Sequence, residues 1–177
     1  MAVVYLLVLL LFCLALLLVV GTLAYGAISA APWVPLPAKD VARLLALARL
    51  KPGELVYDLG CGDGRIIVAA ARDFGVRAVG FEVAFLPYCL ARLRVFLSGT
   101  AGLAEVRYQN FWRVKFTPAD AVFCFLTPAA MVKLENKVAS ELRPGARFVS
   151  CVFKLPRRQA GQVSKPSAKD LPIYLYT

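Results

Sequence analysis

Histidine is absent from the sequence, which removes the Ser-His and Cys-His pairs that activate many nucleophilic enzymes. Cysteine occurs five times, at Cys13, Cys61, Cys89, Cys124 and Cys151, an odd number with no CxxC spacing. A zinc site or a disulfide framework is therefore not expected, and reduced thiols suit a cytoplasmic domain. Charge is missing from the whole N-terminal stretch, because nothing acidic or basic precedes Lys39. In its place stands an unbroken apolar run from Ala2 to Val20, with Tyr5 and Tyr25 near its ends. About 20 helical residues cross a bilayer core, and aromatic rings with a polar tip prefer its two interfaces. This run explains why a chain of 177 residues reaches 60% hydrophobic content and a mean hydropathy of +0.67, values too apolar for an ordinary soluble domain.

A cleaved secretory signal competes with an anchor, since Ser29-Ala30-Ala31 offers small residues at a plausible cleavage site. Such signals have a basic start and an apolar core of about 7 to 15 residues; here the run is longer and nothing basic precedes it. A retained transmembrane helix is the expectation. The segment has no arginine, against a mitochondrial transit peptide. The first charges after it are Lys39, Arg43, Arg49 and Lys51 against Asp40, which predicts that the C-terminal side lies in the cytoplasm; with one apolar run, a single-pass protein is expected. The expected organisation is an anchor at 1–31, a stiff proline-rich linker at 32–38 ("PWVPLPA") and one domain at 39–177. That domain carries the whole net charge of +10. Such a balance suits an anionic neighbour, and beside an anchor the anionic headgroups of the lipid bilayer are the simpler choice, with nucleic acid not expected. A solvated basic face without a partner is the alternative.

Beyond the linker, strand-like and helix-like runs alternate. "AKDVARLLALARL" has Val41, Leu44, Leu45 and Ala48 at helical spacing, ending before Pro52-Gly53. Then follow "LVYDLG", a helix from Arg65 to Phe74, "RAVGFEV", a helix opened by Pro87, "EVRYQNF", "AVFCFLT", a helix from Pro128 to Glu141, and "ARFVSCVFK". The polar tail from Pro156 to Pro172 reads as a loop, and "IYLYT" as a last strand. This alternation predicts an α/β fold, a Rossmann-like doubly wound and mostly parallel sheet, preceded by one N-terminal transmembrane helix.

The turn "DLGCGDGR" lies between a strand and a helix, where such folds bind nucleotides. It lacks the Gly-Lys-Ser/Thr ending of a phosphate loop, and Arg65 stands where a dinucleotide fingerprint needs its third glycine. Asp58 and Asp63 would repel a pyrophosphate. A nucleoside ligand without phosphate and with cationic groups reverses that objection. S-adenosylmethionine is such a ligand: Gly60, Gly62 and Gly64 would let the backbone approach, and Asp58 would face its cationic methionine end. Glu82, 22 positions past Gly60, stands where an acid should hold the ribose hydroxyls.

These features resemble the class I (seven-strand) methyltransferases, through "DLGCGDG" at 58–64, covering Asp58, Gly60, Cys61, Gly62, Asp63 and Gly64, and through Glu82. The chain is similar in particular to the small membrane-anchored protein-lysine methyltransferases of mitochondria that modify the ATP synthase c-subunit and the adenine nucleotide translocase, and to their prokaryotic relatives. That likeness also rests on "PWVP" at 32–35, "NFW" at 110–112, "FLTP" at 125–128 and the run from Met131 to Pro156. Two departures stand out: "GFEVAF" lacks an asparagine soon after the acid, and "FLTP" replaces a usual glycine-valine before proline.

The resemblance implies a compact fold, S-adenosylmethionine as cofactor and a lysine of a membrane-associated protein as acceptor. It implies that Asn110 contacts the adenine, where a strand-end cap is the other reading, and that Phe111 and Trp112 wall the adenine or else fill core. It implies a substrate slot at 125–128, with Phe125, Thr127 and Pro128 foremost and Leu126 between them, where a strand end with proline opening a helix is the equal alternative. Trp33, with Pro35, forms a flap over the site or only a stiff stalk. Arg157 and Arg158 read as facing lipid or solvent. A methyltransferase for lipid, quinone or RNA, and a non-catalytic module that kept the cofactor pocket, remain as alternatives.

Overall fold

A computed structural model describes residues 1–177, the side chains of Ala27 and Ser29 excepted. Its first element, α1 (Ala2–Ser29), contains a stretch of 25 residues, Ala2–Gly26, long and apolar enough to cross a membrane. The helix is exposed as far as Leu18, whereas Val19, Thr22, Leu23 and Gly26 are partly or fully covered. These four share one helical stripe, and a Cβ at Gly26 would stand 3.4 Å from that of Ala84.

After α2 (Ala38–Ala48) the chain alternates β1 (Leu55–Leu59), α3 (Arg65–Phe74), β2 (Arg77–Glu82), α4 (Phe85–Leu97), β3 (Ala104–Tyr108), β4 (Ala121–Cys124), α5 (Pro128–Glu141) and β5 (Arg147–Cys151), then closes with β6 (Gln162–Ser164) and β7 (Ile173–Tyr176). One seven-stranded sheet results, in the order β3-β2-β1-β4-β5-β7-β6. Strands β1 to β5 are parallel, and β7 runs antiparallel to β5 and to β6. The doubly wound sheet predicted from the alternation is thus present. Side-chain alternation along the strands feeds two cores. On one face Val56, Ala78, Val106 and Phe123 pack with Leu44, Ile67, Ala70 and Ala91; on the other Tyr57, Phe81, Val122 and Phe148 pack with Met131, Leu134 and Val138 of α5. The order reverses at β1, which has β2 on one side and β4 on the other, and ligands sit outside the carboxyl ends of strands at such a point.

The structure departs from the predicted elements in four places. Helix α4 starts at Phe85, ahead of Pro87; a first-turn N–H has no partner within the helix, so proline is tolerated there. Strands β3 and β4 stop at Tyr108 and Cys124, and Asn110 then caps a single 3-10 turn, Phe111–Arg113. The tail predicted as loop contains β6, a mostly exposed edge strand with little hydrophobic pattern, fixed by Arg43 donating to the carbonyl of Ser164 at 2.7 Å. Arg157 is paired: its Nε donates to Glu135 at 2.9 Å and its Nη2 to Asn136 at 2.5 Å.

The close approach between the glycine turn and α4 can be measured. Gly64 has φ +76°, and a Cβ there would lie 3.0 Å from the Ala91 Cβ and 3.2 Å from its Cα. Gly99 has φ +69° with nothing within 4 Å. Gly64→Ala should therefore lower stability by about 1–3 kcal/mol in denaturant unfolding, and by more than Gly99→Ala, which carries only the backbone cost. Equal losses would mean that the turn and α4 are not tightly packed.

Candidate active site

The chain leaves β1 and turns through Gly60–Gly64 into α3. The turn is fastened to β2, for the N–H groups of Gly60 and Cys61 both donate to the Phe81 carbonyl, at 3.0 and 3.1 Å. The Gly62 N–H donates to Glu82 Oε2 at 2.9 Å, and those of Val83 and Ala84 donate to Oε1, each at 2.8 Å. Burial raises the Glu82 pKa against the opposing pull of these three donors. Oε2 accepts only one of them and keeps capacity for a further donor.

Asp58 has no such company. It is 2% exposed, and its Oδ2 has no hydrogen-bond partner among the described residues. Burial, helped by the negative charges of Glu82 and Asp63, pushes its pKa from 3.8 up to about 8. Asp63 behaves in the opposite way. Burial alone would raise it, but two hydrogen bonds from Arg65 and the charges of Arg65 and Arg94 hold it below the usual carboxylate value. Arg65 also donates to the Leu36 carbonyl, so it binds the turn to the segment between α1 and α2.

That segment covers the turn. Trp33 lies so close that a Cβ at Gly62, where φ is +55°, would come within 2.7 Å of its Cδ1 and 2.8 Å of its Nε1. Leu23, Gly26, Ala30 and Ala31, from the end of α1, line the same cavity as Asp58, Gly60, Gly62 and Glu82. Thr127 fixes this end, its Oγ1 donating to the Ala30 carbonyl at 2.7 Å and its N–H at 3.2 Å.

Of the residues singled out from the sequence, Trp33, Asp58, Gly60, Cys61, Gly62, Asp63, Glu82, Asn110, Phe111 and Phe125 line this cavity. The Cys61 side chain packs beneath the turn, its Sγ 2.6 Å from where a Cβ on Gly80 would lie. Gly64 stays outside the lining and fits the turn against α4. Asn110 Oδ1 accepts from the Trp112 N–H at 3.0 Å, the strand-end cap, while Asn110 still borders the cavity. Trp112 stacks on Phe111 at 4.6 Å between ring centres, outside the lining. Thr127 and Pro128 are outside it too, for Thr127 holds α1 and caps α5 while Pro128 borders a separate hollow beside Val152 and Tyr174. Leu126, inside the predicted 125–128 segment, lines the cavity as well, whereas sequence reasoning missed Arg65 and the end of α1. For the last, the run of small residues in "GAISAA" was the available signal of close packing.

Residues 58–162 match the model of the ANTKMT methyltransferase domain. The chain belongs to that methyltransferase family. It is 38% identical over 148 residues to a protein-lysine N-methyltransferase of Saccharolobus islandicus (strain REY15A), covering 82% of this chain and 92% of that one. It is also 38% identical over 126 residues to the mouse (Mus musculus) lysine N-methyltransferase of the ATP synthase c-subunit, covering 71% of this chain and spanning 50% of the mouse protein. Among solved structures, an RNA methyltransferase from Salinibacter ruber in complex with S-adenosyl-L-homocysteine superposes with a TM-score of 0.77 at 32% identity, over 81% of this chain and 92% of that one.

As a member of this family the protein is an S-adenosylmethionine-dependent methyltransferase, and its site fits that cofactor. The unpartnered Asp58 carboxylate suits a cationic ligand, the glycines keep side chains off the turn, and Glu82 has acceptor capacity for a hydroxyl.

Two outcomes follow for binding. The folded protein holds a proton on Asp58 that the unfolded chain gives up above pH 3.8. This group's contribution to stability is therefore greatest below that pH and declines until about pH 8, in the direction set by linkage. Asp58→Asn should flatten that part of the stability profile of the ligand-free methyltransferase. A cation beside Asp58 favours its charged form, so cofactor binding at pH 7 should release a proton, seen by calorimetry in buffers of different ionisation enthalpy. No release would separate Asp58 from the cationic groups. Glu82→Ala should weaken S-adenosylmethionine by about 1–3 kcal/mol through loss of a buried acceptor; unchanged affinity would remove Glu82 from the ribose role.

Proposed function

We propose that the protein methylates lysine side chains of a membrane-associated protein, with α1 as a single-pass anchor and the domain on the cytoplasmic side. Its relatives include methyltransferases named for lysine in the ATP synthase c-subunit and in the adenine nucleotide translocase. The observation that carries the reading is that the end of α1 lines the same cavity as the glycine turn. An acceptor reaching the cofactor therefore passes beside the helix that is apolar enough to cross a bilayer.

The cofactor, when bound, supplies an electrophilic methyl group, so the protein's part is to orient the amine rather than to provide a strong base. Alignment within about 3–3.5 Å supplies much of such a rate enhancement, and the absence of histidine is no obstacle. A lysine amine must be neutral to react and has an ordinary pKa of about 10.4. The apolar lining from Trp33, Phe111, Phe125 and Leu126 favours its uncharged form by desolvation. The faces of Trp33 and Phe125 then suit the methylated cation.

A second reading has support in the Salinibacter ruber RNA methyltransferase and in the net charge of +10. The same charge serves equally well against anionic headgroups. One labelling experiment separates the two. Membranes lacking the enzyme, given the full-length protein and labelled S-adenosylmethionine, should gain label as methyl-lysine in a small number of integral proteins. Label in RNA or in the lipid extract would overturn the lysine reading. Gly62→Arg should abolish labelling by displacing Trp33 and filling the turn, and Phe125→Ala should impair transfer more than cofactor binding. The full-length protein should also resist carbonate extraction, as an inserted helix does.

A further inference from the structure

Helix α4 is apolar on the wrong side as well as the right one. Pro87, Ala91 and Val95 point into the protein, yet Phe85, Leu86, Leu90, Leu93, Phe96 and Leu97 are all exposed, Phe96 by 76% and Leu97 by 73%. At 3.6 residues per turn these six occupy an arc of about 140°, bounded by Arg92 on one edge and Arg94 on the other. A helix apolar all round belongs in a core or a membrane, and a continuous exposed apolar face marks a contact surface. Beside it, Tyr108 is exposed by 54%, and its ring meets Phe85 at 6.3 Å and Tyr88 at 5.2 Å.

The position of α1 identifies the occupant. Its residues 2–18 are exposed all round and measure about 25 Å along the axis, against about 30 Å for a bilayer's hydrocarbon core. The stripe from Val19 to Gly26 lies against the domain, with Gly26 packed on Ala84 at the start of α4. A hydrocarbon core of about 30 Å that starts at Ala2 therefore ends near Thr22, about one helical turn short of Gly26 and the start of α4.

We propose that the outer face of α4 lies in the plane of that same bilayer, its apolar arc among the upper acyl chains, Arg92 at headgroup level and Tyr88 with Tyr108 at the interface. This rests on the reading of α1 as an anchor. The surface is of the interfacial kind, with an apolar face and flanking cations. It adds a second attachment that fixes the rotation of the domain about α1. Arg94 on the arc's edge donates to Asp63 at 2.7 Å through its side chain, and to the Asp63 carbonyl at 2.8 Å, so the attached helix holds the cofactor turn directly.

Tryptophan depth measurements test this on the full chain in phosphatidylcholine–phosphatidylglycerol vesicles with brominated acyl chains. Phe96→Trp and Leu93→Trp are compared with Leu10→Trp on α1 and with Val132→Trp, an exposed position on α5, after subtracting wild-type emission. Phe96→Trp and Leu93→Trp should lose emission on bromination as Leu10→Trp does, with Val132→Trp unaffected. Quenching at position 10 with none at 93 and 96 overturns the α4 contact and leaves the anchor standing. Quenching at 93 and 96 without position 10 supports the contact and overturns the anchor, and no quenching at any of them overturns both. Blue-shifted but unquenched emission from Phe96→Trp would mean that a second copy or another protein covers α4, and overturns the proposal.

Discussion

A buried carboxylate without a partner is the constraint around which the site is arranged. Asp58 comes off the central strand, where the reversal of strand order opens the sheet, and nothing among the described residues satisfies its Oδ2. An isolated charge is too costly in that setting, so the group stays protonated to about pH 8. The glycine turn makes this arrangement accessible to a ligand, because any side chain at Gly62 would collide with Trp33. A buried carboxyl of this kind ionises most readily beside a cation, so the turn suits a cationic nucleoside better than one carrying phosphates.

The other two carboxylates of the turn show how differently one chemical group is used within a few residues. Glu82 satisfies three backbone donors and so builds the turn it borders. Asp63 is held by two arginines and serves the frame rather than the ligand. Arg65, the residue that spoils a dinucleotide fingerprint, has a role of its own here, tying Asp63 to the Leu36 carbonyl. The same position that excludes one cofactor class thus fastens the cover of the site.

The sheet and the glycine turn were legible in the sequence because they are local. Strand runs, helical spacing and a turn with left-handed glycines each occupy a few consecutive residues. What was not legible depends on contacts far apart in the chain. Thr127, expected in a substrate slot, also donates to Ala30, 97 positions away, a fastening that no local pattern announces. Strand β6 has three residues and little pattern of its own, and exists because β7 and Arg43 hold it. The end of α1 read as anchor alone, since an apolar helix carries no mark of which stripe meets protein.

These long-range contacts make the cover of the site a strap fixed at both ends. Ala30 is bound to Thr127 at the start of α5, and Leu36 to Arg65 at the start of α3. Between them Pro32 and Pro35 limit the backbone, with Trp33 at the centre over Gly62. A segment so short and so restricted has little conformational entropy to lose on closing over a ligand. One fastening is to the cap of α5, the other to the start of α3 beside the cofactor turn, and the segment continues directly from α1. The Gly26–Ala84 contact and the Ala30–Thr127 bonds hold the chain just ahead of Trp33, so the long apolar helix and the cover of the site are joined by a few residues of chain.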